Sequence, residues 1–387
     1  MMALGVISGP LIHASLLWAL VSPELLRPWL EDAPLNTIPF LMTHDCGTGY
    51  LEPSSLVSDI VYRFTKTQGG NITNQLDCGA RAFDWRPSLS PDGSSLGFAH
   101  GSVFVNASME AAAHEVVVWS NAHAAEEEDG LVLLIVLDCG DNCNSRTEAA
   151  LVRAGVRVVS GDGCAIASDY TLGAAMAAAA LSGGGHALAL VGCPGAPQVT
   201  YDDRCSCTGF TNITAGEAFE ASAAQCLTAP SPEEARACLV AITGILDTPA
   251  HYACYLDSGG KGAATAFDRL LAWDAAVASV PPPSGDGERG LLVGFMGCWA
   301  QNVQSTVLSF LHDSSLLQDE ARANFNQGAL LRWIADDGNA THAPLLQHLN
   351  LVGVNNVCNG GPSLVRALRK RLEPGSWRPH VPRVGGV

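Results

Sequence analysis

Two histidines in the first third of the chain each follow a short apolar run. The apolar residues 38–42 lead into Thr43-His44-Asp45, and residues 96–99 lead into His100-Gly101. A β-strand of this length delivers the side chain at its end to the rim of a sheet. We therefore expect both imidazoles to lie at strand ends.

A charged pair lies between the two histidines, in residues 80–86. If this segment is extended, Asp84 and Arg86 share one face, while Phe83 and Trp85 share the other. One face is then charged and the other apolar, which is typical of a strand that packs on a core and presents polar groups at its end.

Two imidazoles, a guanidinium and carboxylates suit the cleavage of a phosphodiester by general acid–base catalysis. One histidine would remove a proton from an attacking hydroxyl and the other would protonate the leaving oxygen, while the arginine binds phosphoryl oxygens. The alternative is that His44 and His100 are structural histidines and that Asp84 and Arg86 form a structural ion pair, since such pairs also occur away from active sites.

Four motifs occur in order along this region. They are Thr43-His44-Asp45-Cys46, Thr67-Gln68, the segment QLDCGARAFDWR at residues 75–86, and His100-Gly101. In order and spacing they resemble the motifs of the phosphatidylinositol-specific phospholipase C X-domain superfamily, the PLC-like phosphodiesterases. The resemblance covers the first third of the chain and implies a TIM-type barrel and an inositol phosphodiester substrate.

The resemblance also implies a role for each matching residue. His44 would be the general base for the inositol 2-hydroxyl, and His100 would be the general acid, oriented by Asp45. Arg86 matches the arginine of the metal-free bacterial members, so no cofactor is implied, and Asp84 keeps the acidic position two residues before it. The product would be a cyclic phosphodiester, because the neighbouring hydroxyl is already placed for attack.

One departure from the family pattern concerns the support of the base. Bacterial members have an aspartate on the last strand that pairs with the base histidine, whereas the matching residue here is the neutral Asn355. An amide orients an imidazole but stabilises its charged form less than a carboxylate does. Asp138, at the end of the apolar run 130–138, is either the replacement or an exposed turn residue.

Two other functions are compatible with these residues. The chain could bind an inositol phosphate, a lipid or a glycan anchor without turnover, a reading that Asn355 favours and the two histidines oppose. It could also be a calcium- or magnesium-dependent phosphodiesterase that uses Asp45, Asp84, Asp138 and Asp141 as oxygen ligands. Arg86 opposes that mechanism, because its charge would repel a divalent ion.

The apolar pattern predicts an α/β fold. Residues 130–138 read GLVLLIVLD, a continuous apolar run typical of a parallel strand that is buried on both faces. Strands and helices alternate to the end of the chain, which favours a TIM-type (β/α)8 barrel, regular or irregular, with a disulfide-bearing loop insertion at residues 193–211. An open, doubly wound sheet is the alternative. We interpret residues 25–387 as one domain and the Pro281-Pro282-Pro283 run as a loop within it.

The composition bears on partners and location. The chain has 387 residues, is 48% hydrophobic and has a formal net charge of −17, which argues against nucleic acid as a partner. The resemblance implies a phosphoinositide or a soluble inositol phosphodiester as the substrate, with transient contact to a membrane surface. Residues 1–24 are either a secretory signal or an N-terminal apolar helix. Thirteen cysteines and four Asn-x-Ser/Thr sequons predict a secreted, disulfide-bearing glycoprotein.

Overall fold

The computed structural model describes residues 30–35, 38–52, 62–125, 130–193, 250–256, 294–300, 313–323 and 351–370, together with residues 230, 234 and 331. Three features interpreted from sequence lie outside these residues. They are the apolar segment 1–24, the run of three prolines at 281–283, and all of the loop 193–211 except Cys193.

The α/β class predicted from sequence is confirmed. The described strands are β1 (Phe40–Thr43), β2 (Ala82–Trp85), β3 (Pro87–Leu89), β4 (Leu96–His100), β5 (Val103–Val105), β6 (Leu131–Val136), β7 (Arg157–Ser160), β8 (His186–Val191), β9 (Ala250–Leu256), β10 (Gly294–Ala300) and β11 (Leu351–Val354). The described helices are α1 (Ile72–Asp77), α2 (Met109–Ala122), α3 (Asp141–Ala154), α4 (Gly163–Ser168), α5 (Leu172–Ala178), α6 (Leu316–Ala323) and α7 (Gly361–Lys370), with a 3-10 helix at Cys46–Tyr50.

Eight of these strands form one parallel sheet. Their order is β7-β8-β6-β2-β1-β11-β10-β9, and every neighbouring pair is parallel. In the described part of the chain, β7 and β9 each pair on one side only. The closed barrel expected from the sequence is therefore not seen among these residues.

Buried clusters lie on both faces of the described part of the sheet. A TIM barrel keeps its helices outside and fills its interior with strand side chains. Here Leu172 and Ala175 of α5 lie in the same buried cluster as Met42, Leu133 and Leu190 on one face of the sheet. The other face packs against α1, α2, α3 and α7. Helical residues thus contribute to the buried clusters on both faces, and β7 pairs outside β8 instead of between β6 and β8.

A second sheet carries one of the two histidines. Strands β3, β4 and β5 form a three-stranded antiparallel sheet. Arg86 is the single residue between β2 and β3, and its carbonyl accepts a hydrogen bond from the backbone N–H of Ala99. His100 therefore ends a strand, as predicted, but that strand belongs to the small sheet and not to the parallel one.

Close packing joins the small sheet to the end of β1. The ring of Phe98 meets Trp85 of β2 edge-on, with centroids 4.9 Å apart. A Cβ atom on Gly47, in the 3-10 helix after β1, would lie 2.2 Å from the Phe98 ring. Only glycine permits this approach, so the turn after β1 and the strand that carries His100 are packed directly on each other.

Two sequence interpretations differ from the structure in detail. Strand β9 was not predicted, because AHYACYL mixes histidine, alanine and tyrosine without a clear period. The apolar residues 290–296 predict a strand, and the strand is observed at Gly294–Ala300. Residues on both sides of that shift are apolar, so hydrophobicity alone does not locate the ends of the strand.

No helix among the described residues is long and apolar enough to cross a membrane.

Three cysteine pairs are bonded: Cys78–Cys358, Cys139–Cys143 and Cys164–Cys193. Among the cysteines whose side chains the structure describes, Cys46 is unpaired and buried. The disulfide Cys78–Cys358 joins the C-terminal end of α1 to the turn after β11, across a sequence separation of 280 residues.

Two of these disulfides close loops of very different length, and this difference gives a stability prediction. A disulfide that closes a long loop restricts the unfolded chain most, so we expect the double variant Cys78→Ser/Cys358→Ser to lose about 2–4 kcal/mol of unfolding free energy. The matched control is Cys139→Ser/Cys143→Ser, which opens a loop with a separation of only 4 residues. Urea unfolding measures both. Equal losses in the two variants would show that loop length does not determine the contribution.

Candidate active site

Three neighbouring strands bring polar residues to one edge of the parallel sheet. Thr43 of β1 is in register with Phe83 of β2 on one side and with Val354 of β11 on the other. The next residues of the three strands are His44, Asp84 and Asn355. Because the strands are parallel, these three residues lie side by side at the carboxyl edge of the sheet.

Asn355 fixes the orientation of the His44 ring. The Nδ1 atom of His44 lies 2.7 Å from the Oδ1 atom of Asn355, and both side chains are buried. An amide oxygen accepts a hydrogen bond, so Nδ1 carries the proton and Nε2 is the atom that titrates. The sequence match of Asn355 to the position beside the base histidine agrees with this contact.

The carboxylate of Asp45 lies between the two imidazoles. Its Oδ2 atom is 3.2 Å from Nε2 of His44 and 3.4 Å from Nε2 of His100. Its Oδ1 atom is 2.7 Å from Nε of Arg86. The residue is 1% exposed. One buried carboxylate therefore contacts all three basic side chains of the site.

A second carboxylate holds the arginine. Asp84 accepts hydrogen bonds from Nε and Nη2 of Arg86, the latter at 2.7 Å, and also from the backbone N–H of Asp45 at 3.0 Å. This confirms that Asp84 and Arg86 share one face of the segment, with Phe83 and Trp85 in the core on the other. The guanidinium is thus fixed between two carboxylates.

His100 is held at its other ring nitrogen. Its Nδ1–H donates to the backbone carbonyl of Thr65, at 2.7 Å. Nε2 is therefore the nitrogen without a proton in the neutral ring, as in His44. The His100 side chain is 22% exposed and that of His44 is 6% exposed. The centroids of the two rings are 6.3 Å apart. Of the two histidines, His100 is nearer to solvent.

The surrounding charges determine the ionisation of Asp45. Burial alone raises the pKa of a carboxyl group, but the charge of Arg86 and then those of His44 and His100 oppose this, and the pKa of Asp45 is lowered below its usual value. The carboxylate is therefore ionised at neutral pH. Burial, followed by the charges of Asp84 and Asp45, raises the pKa of the Cys46 thiol well above its usual value. Cys46 is thus a neutral thiol and is unsuited to act as a nucleophile.

Asp138 lies in a different environment from the other candidates. Its carboxylate is exposed and accepts hydrogen bonds from the backbone N–H of Gly140 and from the side chain of Asn144, at 2.9 and 2.7 Å. These bonds lower its pKa. Of the two interpretations of Asp138 made from sequence, this geometry favours a turn residue before α3. Asn355 is the residue in contact with His44.

The described residues contain one group that could hold a metal ion. Ligand atoms of His44, Asp45 and Asp84 lie within 4.8 Å of one another. However, the Nε atom of Arg86 already lies 2.7 Å from Asp45 and 3.0 Å from Asp84. Two unit charges about 4 Å apart repel by roughly 4 kcal/mol at an effective dielectric near 20, and a divalent ion doubles that. The site therefore fits a metal ion poorly while Arg86 is in place.

Sequence reasoning gave no role to several residues that contact the site. Thr67 and Gln68 form one of the four motifs, and Thr65 lies outside all of them. Thr65 contributes its backbone carbonyl, and such a contact leaves no sign in residue type. For the other two, the available signal was their place in the second of the four motifs.

Comparison with known proteins provides one distant similarity. No family model matches the chain, and no curated protein sequence matches it. Among solved structures, the chain is similar to the phosphatidylinositol-specific phospholipase C from Listeria monocytogenes, with 10% sequence identity and a TM-score of 0.45 over 89% of this chain and 98% of that one. The chemistry of the site is therefore inferred from its own geometry.

The contact between His44 and Asn355 gives a prediction about ionisation. Asn355→Asp would place a negative charge beside Nδ1, so we expect the pKa of His44 to rise by about one to three units. Titration of the histidine ring signals by NMR measures it. The control is Asp138→Asn, which removes an exposed carboxylate and should leave the His44 titration unchanged. A shift with Asp138→Asn but none with Asn355→Asp would assign the supporting role to Asp138.

Proposed function

We propose that this protein is a metal-independent phosphodiesterase that cleaves an inositol phosphodiester by acid–base catalysis. The observation that carries the proposal is the position of the Asp45 carboxylate, whose Oδ2 atom contacts Nε2 of both His44 and His100. The two Nε2 atoms lie on either side of one carboxylate oxygen, which suits the transfer of a proton to one histidine and from the other.

Charge balance supports one protonated histidine in this cluster. Asp45 and Asp84 carry two negative charges, and Arg86 carries one positive charge. One imidazolium makes the cluster neutral, which is the favourable state for a buried group of charges. A general base and a general acid that work together require the same state, with one ring neutral and the other protonated.

The proposed reaction has two proton transfers. Nε2 of His44 takes the proton of the inositol 2-hydroxyl, whose oxygen forms a bond to phosphorus. The bond from phosphorus to the leaving oxygen breaks, and Nε2–H of His100 protonates that oxygen. The products are a cyclic phosphodiester and an alcohol. The greater exposure of His100 suits a general acid that meets a leaving group at the rim of the site, and Arg86 supplies a fixed positive charge beside the reacting phosphate.

The proposed substrate is a phosphoinositide or a soluble inositol phosphodiester. The formal net charge of −17 argues against nucleic acid, a polyanion, as the ligand. Phosphorus NMR of the purified protein with phosphatidylinositol vesicles and, separately, with glycerophosphoinositol distinguishes the two and reports the cyclic product directly. If the protein binds either compound without releasing a cyclic phosphodiester, the binding function is correct and the catalytic proposal is wrong.

We also propose that the protein is exported. The three described disulfides support an oxidising compartment. Asn106, in one of the sequons, is exposed just before α2, where a glycan would meet no core residue. A loss of mass after enzymatic removal of N-glycans from protein made in a secreting cell tests this proposal.

Replacing either histidine tests the mechanism. We expect His44→Ala and His100→Ala each to lower kcat by about a hundredfold or more, because each removes a positioned acid or base. The matched control is His123→Ala. Its Nδ1–H also donates to a backbone carbonyl, that of Trp119 at 2.9 Å, but His123 lies at the end of α2, outside the site. A variant at position 44 or 100 that keeps the wild-type rate would remove that histidine from the mechanism.

Chelation tests the role assigned to Arg86. Because the guanidinium takes the place between the two carboxylates, we expect turnover to persist after exhaustive treatment with a chelator. The check is a rate measured before chelation, after it, and after calcium or magnesium is added back. Loss with the chelator and recovery with metal would overturn the arginine-based mechanism in favour of a metal-dependent one.

A further inference from the structure

One short segment of the chain contacts both histidines. Thr65 accepts the Nδ1–H of His100 through its backbone carbonyl. Two residues later, the Oγ1 hydroxyl of Thr67 donates to the backbone carbonyl of His44 at 2.9 Å. The side-chain amide of Gln68 donates to the same carbonyl at 2.9 Å. Residues 65–68 therefore bridge the end of β1 and the small sheet that carries His100.

The same segment joins β1 to β11. Nε2 of Gln68 also donates to the carbonyl of Val354, at 2.9 Å, and its Oε1 accepts the backbone N–H of Val357, at 3.1 Å. Gln68 is completely buried. Val354 precedes Asn355, so this one side chain is bonded to the backbone on both strands whose ends provide the His44–Asn355 pair.

The backbone beside that pair has an uncommon conformation on both strands. Asp45 follows His44 with φ 48°, and Asn356 follows Asn355 with φ 46°. Among residues other than glycine, Asp and Asn adopt the left-handed region most readily, and neighbouring groups hold them in it. Thr67 contributes to both turns. Its carbonyl accepts the N–H of Asn356 at 2.7 Å, and its N–H donates to Thr48, whose hydroxyl donates to the Asp45 carbonyl.

We infer that Thr67 and Gln68 are positioning residues, which hold the His44–Asn355 pair in place and, through Thr65, set its distance to His100. The inference rests on the proposed function for its kinetic consequence. A displacement of about 1 Å in an acid–base site can lower the rate about a hundredfold, so two histidines on separate sheets need a common support. Residues 65–68 provide it through hydrogen bonds to backbone groups, which do not depend on the substrate.

The experiment removes one hydroxyl and keeps the shape. Thr67→Val loses the Oγ1 hydrogen bond to His44, and Thr67→Ser keeps it. The matched control is Thr147→Val. Thr147 is also completely buried, and its hydroxyl also donates to a backbone carbonyl, that of Cys143 at 2.8 Å, but within α3. The control therefore measures the general effect of losing such a bond, and urea unfolding of the three variants confirms that they are folded.

Kinetics give the first readout. We expect Thr67→Val to lower kcat about 10- to 100-fold with KM changed less than about threefold, and Thr67→Ser to stay within about threefold of wild type in both. Thr147→Val should keep the wild-type kcat. A wild-type kcat in Thr67→Val, or an equal loss in Thr147→Val, would overturn the positioning role.

A second readout does not need turnover. In protein labelled with ¹⁵N-histidine, the ring signals of His44 are those that disappear in His44→Gln. We expect these signals to shift or broaden in Thr67→Val and to remain unchanged in Thr67→Ser and Thr147→Val. Unchanged His44 signals in Thr67→Val would overturn the inference. If the wild-type protein turns over no inositol phosphodiester, the proposed function fails, and the ring signals alone decide the positioning role.

Discussion

The buried carboxylate of Asp45 constrains the rest of the site. A carboxylate removed from water costs several kcal/mol unless charges and hydrogen bonds compensate for it. At 1% exposure, Asp45 relies on Arg86, His44 and His100 for that compensation. Arg86 lies between β2 and β3, His44 directly follows β1, and His100 ends β4. The charge balance of Asp45 therefore requires the parallel sheet and the small antiparallel sheet to meet at one place.

That requirement explains several packing features around the site. Phe98 packs on Trp85 and on the turn at Gly47, and this packing fixes β4 against the ends of β1 and β2. The hydrogen bond from Ala99 to the carbonyl of Arg86 fixes the same junction through the backbone. Apolar packing and hydrogen bonding thus hold together elements that bring opposite charges close to one another. The attraction within the site alone would not specify this geometry, because a charged side chain can reach a partner from many directions.

Sequence reasoning succeeded where side-chain pattern determines geometry. The alternation of residues 80–86 placed Asp84 and Arg86 on one face, and the continuous apolar run of β6 indicated a strand buried on both faces.

Sequence reasoning failed where geometry depends on contacts between distant segments. The short run before His100 does not show whether its strand joins a parallel or an antiparallel sheet. The packing of Leu172 and Ala175 of α5 into the same buried cluster as residues of β1, β6 and β8 depends on contacts that no local period encodes. The support from Thr65 is a backbone contact, so the identity of that residue carries no information about it.

The charge count of the site separates a proton from a metal ion as the balancing charge. Two carboxylates and one guanidinium leave one negative charge, which a single proton on either imidazole neutralises. A divalent ion among His44, Asp45 and Asp84 would instead leave one positive charge with both imidazoles neutral, and it would lie near the guanidinium in buried surroundings. A shared proton has a further property that a metal ion lacks. In the proposed reaction His44 gains one proton and His100 loses one, so the cluster is neutral at the start and is neutral again once both transfers are complete, with no net buried charge left for the protein to reorganise around.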